Sequence, residues 1–299
     1  MELPLFTVVV PATTANLGPG YDSVGMSLSL YMNVKVSKSQ SWEVRYDGEE
    51  YAGLPSDESN LIVRTIQKVA SYYEKELSPH LLQIKSDIPL GKGLGSSATA
   101  IAAGIEIADH LLHLGLSARE KASVGSHLEG HADNVTAALL GGVVVTYFNE
   151  KEFEVIQLPT PQIGVVILVP PNALKTEESR ELLPKQLDHQ AAASGSSASS
   201  MLTTAIALGD WKLAGKMFEK DLFHEPYRKK MMPQFDEIRA YCHSIGTYGM
   251  TISGAGPSLF VAVEANREQE VAALLKKQFP YYESIALKPS EKGAHVMKG

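Results

Sequence analysis

Apolar and polar positions along the chain predict a mixture of strands and helices. Short runs that are apolar throughout, or that alternate with a period of two, predict strands, whereas apolar positions three or four residues apart predict helices. The run FTVVV is a strand of the first kind, and Pro11 is expected to end it. The first half is predicted to form strands over 6–10, 33–37, 42–46, 80–88 and 141–148, the second and third of which could pair, and helices over 60–76, 96–114 and 117–130.

The second half shows the same mixture. A charged and then proline-flanked stretch over 150–162 marks the predicted domain boundary. The segment AAASGSSASS at 191–200 could be a linker or the start of a helix, and the apolar MLTTAIALG directly after it favours the helix. Further predictions are a strand over 163–169, helices near 201–220, 231–244 and 266–278, a strand over 249–263 and a last strand. This order predicts an α+β fold, and the length allows two domains.

Composition and charge limit the class of protein. With 44% hydrophobic and 20% charged residues, the chain has the composition of a soluble globular protein. The single cysteine, Cys242, excludes an internal disulfide framework and a Cys-rich zinc site, and it fits a reducing cytoplasm. The net charge of −7 gives no general attraction for nucleic acid. Apolar runs such as 163–169 are too short to span a membrane, and the first residues do not resemble a signal peptide.

The stretch PLGKGLGSSATA at 89–100 carries the strongest chemical signal. Gly91, Gly93 and Gly95 fall within five residues, and two serines and a predicted helix follow them. The N–H groups of such a loop, together with the N-terminus of the helix behind it, can hold an anion, usually a phosphate. Because the net charge is negative, an anionic ligand has to be held by local groups of this kind.

Other interpretations of this loop compete. A Walker A loop requires a lysine after the last glycine, but Lys92 lies between the glycines. The dinucleotide fingerprint fits 93–98, yet the required second strand with an acidic end is replaced by LGLSAREKASVGS, which keeps a helical pattern. A glycine-rich turn without a ligand stays open. Three glycines with two serines at a helix start favour a phosphate cradle.

The loop resembles the Pro-x-x-x-Gly-Leu-Gly-Ser-Ser-Ala motif of the GHMP kinases, a family that includes galactokinase, homoserine kinase, mevalonate kinase and phosphomevalonate kinase. PATTANLGPGYDSVGMSL at 11–28 is similar to the family's N-terminal motif, and TISGAGPSLF at 251–260 to its C-terminal glycine motif. The first of these resembles the homoserine kinase branch in particular. So do LEGHADNVTAALLGG at 128–142, KTEESRELLP at 175–184 and HEPYRKKMMP at 224–233. The resemblance covers nearly the whole chain.

This resemblance implies a fold and an activity. The fold would be the two-domain GHMP kinase architecture, with an N-terminal ATP-binding domain over 1–153, a C-terminal domain over 154–299 and the active site in the cleft between them. The activity would be that of a cytoplasmic, ATP- and Mg²⁺-dependent kinase acting on the side-chain hydroxyl of L-homoserine, a step toward threonine. No nucleic acid or membrane partner is expected, and a homodimer stays open. The alternatives are a GHMP kinase for another small alcohol, a non-catalytic sensor on the same fold and a Rossmann oxidoreductase.

The resemblance also implies the ATP contacts. The adenine is expected near Asn60 and Leu61. The positions that match the family's phosphate loop are Pro89, Leu90, Gly91, Lys92, Gly93, Leu94, Gly95, Ser96, Ser97 and Ala98.

Two oxygen ligands for Mg²⁺ follow from the same likeness. Mg²⁺ prefers hard oxygen ligands, and the family supplies them from the second serine of the loop and from a helical glutamate, here Ser97 and Glu129. Many homoserine kinases have several extra residues between that glutamate and the next histidine, so the match of Glu129 rests on a shorter loop. His127 and His131 flank Glu129 at a spacing that would also suit zinc, although no third ligand stands in a recognisable motif.

The implied substrate is an amino acid, and the charges at the matching positions have suitable signs. Asp22 can meet an ammonium group, and Arg180 and Arg228 can each bind a carboxylate through two hydrogen bonds. Thr176 stands one helical turn before Arg180. The full set of matching substrate positions is Asn16, Asp22, His131, Thr176, Arg180, Arg228 and Gly254.

Asn134 stands where some GHMP kinases are thought to carry a catalytic aspartate. Homoserine kinases resemble this chain in having asparagine there. Phosphoryl transfer depends mainly on positioning and charge neutralisation, so a strong base can be dispensed with. The residues expected to act in catalysis are therefore Asn134, Ser97 and Glu129. Asp133 is the alternative base, and it is not expected to act as one.

Overall fold

The computed structural model describes residues 5–149, 151–174 and 176–298, which form two β-sheets covered by helices. The strands are β1 (Phe6–Ala15), β2 (Val24–Lys38), β3 (Glu43–Asp47), β4 (His80–Ser86), β5 (Val143–Phe148), β6 (Phe153–Leu158), β7 (Ile163–Val169), β8 (Gly249–Ile252), β9 (Leu259–Glu264), β10 (Glu283–Leu287) and β11 (His295–Lys298). The helices are α1 (Leu61–Tyr72), α2 (Ser96–Leu112), α3 (Ala118–Glu129), α4 (Asp133–Leu140), α5 (Thr176–Glu181), α6 (His189–Ala207), α7 (Trp211–Phe218), α8 (Glu225–Arg228), α9 (Phe235–Ser244) and α10 (Glu268–Gln278). This arrangement confirms the predicted α+β class.

The first sheet has seven strands, in the order β11-β1-β2-β4-β3, with β5 pairing both β2 and β6. Helices α2 and α4 pack on β1, and α4 also contacts β2. The predicted pairing of the strands over 33–37 and 42–46 is wrong, because β4 lies between β2 and β3. Strands β3 and β4 are parallel, and α1 makes the crossover connection that a parallel pair requires.

Strand β1 does not end at Pro11 as predicted. It continues to Ala15, and its register against β2 shifts between Pro11, which faces Tyr31, and Ala12, which faces Leu28. Such an irregularity tolerates a proline within a sheet, since proline has no N–H to donate. The consequence is that β1 carries the N-terminal motif directly to the cleft.

The second sheet is antiparallel, with the order β10-β7-β9-β8. Helices α7 and α9 contact β8, and α10 contacts β7, β9 and β10. The single strand predicted over 249–263 is wrong, since the chain turns back within it to form β8 and β9. Apolar residues before and after the turn make the pattern look like one continuous strand. Within the turn, Gly254 and Gly256 have φ values of 57° and 83°.

The helices predicted over 60–76, 96–114, 117–130, 231–244 and 266–278 are confirmed with shifts at their ends, whereas the one predicted near 201–220 is interrupted at 208–210, between α6 and α7. Helix α1 begins after Asn60, whose Oδ1 accepts a hydrogen bond from the backbone N–H of Ile62 at 3.0 Å. Helix α3 begins with the predicted capping box of Ser117 and Glu120. The Ser/Ala-rich segment lies within α6, which confirms the helical interpretation of 191–200. In the ranges that the structure describes, no helix is long and apolar enough to cross a bilayer.

The two sheets are not separated at the predicted domain boundary. The predicted boundary at 153/154 falls inside strand β6, which pairs with β5 of the first sheet. Strand β11, near the end of the chain, returns to pair with β1. The division into 1–153 and 154–299 therefore stays a prediction, and the sheet pairing favours a boundary after Leu158.

Candidate active site

The loop between β1 and β2 forms one wall of a cleft. Three of its residues, Asn16, Leu17 and Asp22, have positive φ values of 70°, 49° and 52°, which L-residues adopt only when surrounding contacts hold them there. Asn16 supplies two such contacts. Its Oδ1 accepts a hydrogen bond from the N–H of Asp22 at 3.0 Å, and its Nδ2 donates to the carbonyl of Gly254 at 2.9 Å. The N-terminal motif thus holds Asp22 against the C-terminal glycine motif.

The glycine loop enters α2 through a backbone that few other residues could adopt. Gly93 and Gly95 have φ values of 73° and 70°. A Cβ added to Gly93 would lie 2.3 Å from the carbonyl oxygen of Ser253, and one added to Gly95 would lie 1.9 Å from Oγ1 of Thr13. No side chain caps the N-terminus of α2, which lines the cleft. An uncapped helix N-terminus behind such a loop suits a phosphate.

Ser97 and Glu129 meet beside this helix end. Ser97 lies in the first turn of α2, Glu129 is the last residue of α3, and the Ser97 hydroxyl donates to Oε2 of Glu129 at 3.2 Å. Burial raises the pKa of Glu129, while His131 and the Ser97 hydroxyl oppose that rise. Two hard oxygen donors next to an uncapped helix N-terminus are of the kind that Mg²⁺ prefers, and they would leave it room for phosphate and water ligands.

His131 lies between two carboxylates. Its Nδ1 is 3.3 Å from Oδ1 of Asp133, and its Nε2 is 4.0 Å from Oε1 of Glu129. Burial lowers the pKa of His131, but the two carboxylates outweigh burial, so the net pKa is raised. The imidazole is therefore biased toward its charged form, which can donate from both nitrogens.

Asn134 is held in one orientation at the start of α4. The Thr13 hydroxyl donates to its Oδ1 at 2.8 Å, and its Nδ2 is 3.3 Å from Oδ1 of Asp133. A carboxylate can only accept, so the amide nitrogen must be the atom that faces Asp133. The backbone N–H of Asn134 also donates to that carboxylate, at 2.7 Å. Asp133, which is buried, thus positions Asn134.

Asp22 and Arg180 face each other across the cleft. Oδ1 of Asp22 is 2.8 Å from Nη2 of Arg180, and Oδ2 is 3.1 Å from Nη1. Nη1 also donates to the hydroxyl of Tyr21 at 3.0 Å. Burial lowers the pKa of the Arg180 guanidinium, but Asp22 more than offsets burial and the net pKa is raised.

Arg228 is buried without such a partner. The residue is 1% exposed. Its guanidinium donates to the carbonyls of Gly254 and Ser179, at 3.3 and 3.4 Å, and lies 5.6 Å from the centroid of the Tyr21 ring. Among the described residues, no Asp or Glu forms an ion pair with it. Burial lowers the pKa of Arg228, as expected for a cation removed from water.

Most of the predicted site residues line this one cleft. Those on its walls are Asn16, Asp22, Gly91, Gly93, Gly95, Ser96, Ser97, Ala98, Glu129, His131, Asn134, Thr176, Arg180, Arg228 and Gly254. The walls also include Tyr21 and Asp133. The sequence analysis assigns no role to Tyr21, although its position beside Asp22 in the N-terminal motif indicates that it could line the same cleft.

Three predicted ATP contacts, Pro89, Lys92 and Leu94, do not line the cleft. The side chain of Leu94 is buried in the core, and its carbonyl accepts a hydrogen bond from the N–H of Thr13 at 3.1 Å. The ammonium of Lys92 donates to the carbonyl of Pro170 at 2.9 Å. Burial lowers the pKa of this lysine. A role of Lys92 in binding phosphate is therefore not favoured by its placement.

A second cavity, mainly apolar, adjoins the cleft and shares Ser96 and Ser97 with it. Its walls include Asn60, Leu61 and Leu90, the remaining predicted ATP contacts. The rings of Tyr46 and Tyr51 also line it and stack with centroids 5.2 Å apart. The Asn60 amide donates to the hydroxyl of Tyr46 at 2.9 Å. An apolar slot next to a phosphate-binding helix end suits a nucleobase.

The zinc alternative has no support in the described part of the chain. His127 is exposed, its Nδ1 lies 2.8 Å from the carbonyl of Ser123, and its ring packs edge-on against Phe148. In residues 5–149, 151–174 and 176–298, no three His, Cys, Asp or Glu side chains form a group that could hold a metal ion. An ion at Ser97 and Glu129 would therefore depend on ligand oxygens from outside the protein.

Comparison with known proteins gives two family matches. Residues 60–142 match the family model for the GHMP kinases N terminal domain, and residues 202–280 match the one for the GHMP kinases C terminal domain. The first range contains the glycine loop, Glu129 and Asn134. The second contains Arg228 and Gly254.

Similar proteins match over nearly the full length. A homoserine kinase of Bacillus cereus (strain B4264) is 42% identical over 294 residues, which cover 98% of this chain and 97% of that protein. A homoserine kinase of Bacillus velezensis is 41% identical over 292 residues, which cover 98% and 94%. The crystal structure of homoserine kinase from Cytophaga hutchinsonii has a TM-score of 0.85 at 26% identity, covering 98% of this chain and 97% of that one.

Proposed function

The chain belongs to the GHMP kinase family, in its homoserine kinase branch, and from this premise we propose how the cleft carries out the reaction. The reaction is the transfer of the γ-phosphate of ATP to the side-chain hydroxyl of L-homoserine, giving O-phospho-L-homoserine in threonine biosynthesis. The residue roles, the magnesium ion, the cytoplasmic location and a homodimeric assembly belong to the proposal.

The buried guanidinium of Arg228 is the single observation that carries the choice of acceptor. A buried charge without an ion-pair partner is unfavourable, and a bound ligand of opposite charge can compensate it. A carboxylate can do this by accepting two hydrogen bonds from the guanidinium. A neutral sugar or alcohol would bring no negative charge to Arg228, and that argues against another small alcohol as the acceptor.

Asp22 and Arg180 extend this recognition to a zwitterion. An α-amino acid brings one positive and one negative group, and the cleft offers Asp22 to the ammonium and Arg180 with Arg228 to the carboxylate. Because Asp22 and Arg180 already contact each other, the substrate joins an existing ion pair. In the bound state, each charged group of the substrate and of this ion pair would have a neighbour of opposite charge. Asn16, Thr176, His131 and Gly254 complete the acceptor side.

ATP is assigned to the other side of the cleft. The loop from Gly91 to Gly95 and the N-terminus of α2 would hold the phosphates, and the apolar cavity beside Asn60 would hold the adenine. Ser97 and Glu129 would hold Mg²⁺, which when bound neutralises phosphate charge. The protein's own contribution is to place the phosphates in line with the acceptor hydroxyl.

The acceptor hydroxyl needs no strong base in this arrangement. The side-chain amide of Asn134 is too weakly basic to remove a proton, and its Oδ1 already accepts a hydrogen bond from the hydroxyl of Thr13. The carboxylate of Asp133 already accepts hydrogen bonds from the backbone N–H and the side-chain amide of Asn134, and it faces His131. Asn134 would orient the hydroxyl, and the proton would leave with the transferred phosphoryl oxygens, as a loose transition state allows.

An ADP-release assay with several acceptors tests the proposed function. Homoserine, serine, mevalonate, galactose and shikimate are compared at equal concentration, with homoserine lactone as the matched compound that lacks a free carboxylate. Homoserine should give the highest kcat/KM, and the lactone should be a poor substrate. Preference for a neutral alcohol would contradict the assignment of Arg228. Binding of ATP and homoserine without turnover would indicate a sensor.

A further inference from the structure

Lys92 lies in the middle of the glycine loop, yet its ammonium binds the segment that follows β7. Its Nζ donates to the carbonyls of Pro170, at 2.9 Å, and Pro171. These two residues directly follow β7, a strand of the second sheet. A hydrogen bond from a charged donor is stronger than one between neutral groups. The glycine loop is thus attached by a charged group to a segment far away in the sequence.

The same segment is attached to the loop at a second point. The N–H of Leu174 donates to the carbonyl of Gly91 at 3.0 Å. A Cβ added to Gly91 would lie 3.2 Å from the Cβ of Ala173, so the two backbones are in close contact. Residues 170–174 therefore lie along the loop, held by Lys92 at one end and by Gly91 at the other.

Residues 170–174 lead directly to the acceptor side of the cleft. Helix α5 begins at Thr176, two positions after Leu174, and it carries Arg180. The hydroxyl of Ser179 donates to the carbonyl of Ala255 at 2.7 Å and fixes the same short helix to the C-terminal glycine motif. Two attached points, residues 170–174 and Ser179, thus precede Arg180 in the chain.

We propose that Lys92 is a positioning residue for the acceptor, which holds residues 170–174 against the glycine loop so that Arg180 faces Asp22 and the substrate carboxylate. This inference rests on the proposed function, since it takes an amino acid as the acceptor. It assigns to Lys92 a role other than binding ATP phosphate.

The substitution Lys92→Met tests this role, because methionine keeps the apolar stem and removes the ammonium. Lys68→Met is the matched control, since Lys68 is an exposed lysine of α1 in the same part of the chain. We expect Lys92→Met to raise the KM for homoserine at least tenfold and to leave the Kd for ATP, measured by calorimetry without homoserine, within twofold. Lys92→Arg keeps a charged donor and should restore most of the homoserine affinity. If Lys92→Met does not fold, Lys92→Gln is judged by the same criteria.

Hydrogen exchange of the free protein separates this inference from the proposed function, because it requires no substrate. Lys92→Met should speed exchange of the Leu174 amide at least tenfold and leave the amides of α2 unchanged. A tenfold weaker ATP affinity with an unchanged KM for homoserine would show that Lys92 binds phosphate and would overturn the inference. Unchanged exchange at Leu174 would overturn it as well. If the unmodified chain does not phosphorylate homoserine, the proposed function fails, while the exchange result still decides whether Lys92 holds the segment.

Discussion

Asp22 and Arg180 form a two-pronged ion pair between residues 158 positions apart in the chain. Each of them is expected to bind one end of the same substrate. The free cleft therefore already contains the charge pattern of an amino acid, held together by contacts that the substrate can extend. Both side chains are about one third exposed, at 36% and 37%, so a ligand can reach them.

The substitution Asp22→Asn should separate recognition of the acceptor from binding of ATP. It keeps the shape of the side chain and removes its charge, so the substrate ammonium and Arg180 both lose a counter-ion. We expect kcat/KM for homoserine to fall at least about 10-fold, with the partial exposure of Asp22 limiting the loss. The Kd for ATP should change little. Loss of ATP and homoserine binding together would instead identify Asp22 as a structural residue.

The proposed magnesium ligands can be tested by metal titration. Ser97→Ala removes one oxygen ligand, and Glu129→Gln replaces a charged carboxylate ligand with a weaker neutral amide oxygen. For each we expect a lower kcat and roughly a 10-fold higher Mg²⁺ concentration for half-maximal activity. His127→Gln is the control, because it changes a side chain of the same helix that faces away from the site. Near-normal activity of Glu129→Gln at low Mg²⁺ would show that the shorter loop after Glu129 had led to a wrong assignment.

The variant Asp133→Asn tests proton transfer. Asparagine can still accept the backbone N–H of Asn134 through its Oδ1, so the start of α4 should keep its geometry. If Asp133 only positions Asn134, kcat should stay within about 10-fold of the unmodified chain. A folded variant with kcat lower by roughly 10²–10⁴-fold, as for a lost general base, would make Asp133 the catalytic base.

The glycine loop offers a controlled test of close packing. Gly95 and Gly115 have nearly equal φ values, 70° and 69°, but an added Cβ would meet Oγ1 of Thr13 at the first and nothing within 4 Å at the second. Both Gly→Ala variants should therefore carry the same backbone strain, on the order of 1–2 kcal/mol. Only Gly95→Ala should also displace the N-terminus of α2 and weaken ATP binding, which calorimetry can measure. Equal ATP affinities in the two variants would falsify this account.

The stability of the chain should depend on pH through His224. This side chain is fully buried, and its Nε2 lies 3.0 Å from the carbonyl of Gly18 and 3.2 Å from Oδ2 of Asp221. Burial, assisted by the charge of Arg228, nevertheless lowers its pKa from 6.5 to about 3. Well above pH 6.5 the histidine is neutral in the folded and the unfolded chain and has no effect on the pH dependence. Between pH 6.5 and 3 the unfolded chain binds a proton that the folded chain does not, so the free energy of unfolding should fall as pH falls, by several kcal/mol in total.

Urea unfolding at pH 7, 6, 5 and 4 measures this dependence. His224→Gln keeps a donor toward Gly18 and cannot be protonated, so its unfolding free energy should decline less steeply over the same range. Identical slopes in the two proteins would mean that other groups cause the acid sensitivity.

Local features of the fold could be predicted from the sequence, whereas long-range pairing could not. The capping box at Ser117, the helix after Asn60 and the strand after Pro79 depend on neighbouring residues, and the structure confirms them. The pairing of β3 with β4 depends on which distant strand lies alongside, and no period-two pattern encodes that. A strand end is predicted at Pro11 because the register shift that accommodates this proline depends on residues of β2, which the local pattern does not show.

In the site too, residues within motifs could be predicted from the sequence, whereas contacts between distant residues could not. Ser97, Glu129 and Asn134 stand inside motifs, and the structure brings all three to one cleft. The direction of a side chain depends on what lies opposite, so the turning of Lys92 toward Pro170 could not be predicted from the loop. The same holds for Thr13, whose hydroxyl reaches Asn134 from 121 positions away in the chain.

The buried charge of Arg228 links the occupancy of the cleft to the abundance of the folded protein. A ligand that binds only the folded state stabilises it by RT ln(1 + [L]/Kd), and a carboxylate that compensates Arg228 is such a ligand. In a cell, the unfolded fraction is the part that proteases remove. The lifetime of this enzyme should therefore lengthen when its acceptor is plentiful and shorten when the acceptor is scarce, so that supply of the substrate helps to set the amount of catalyst.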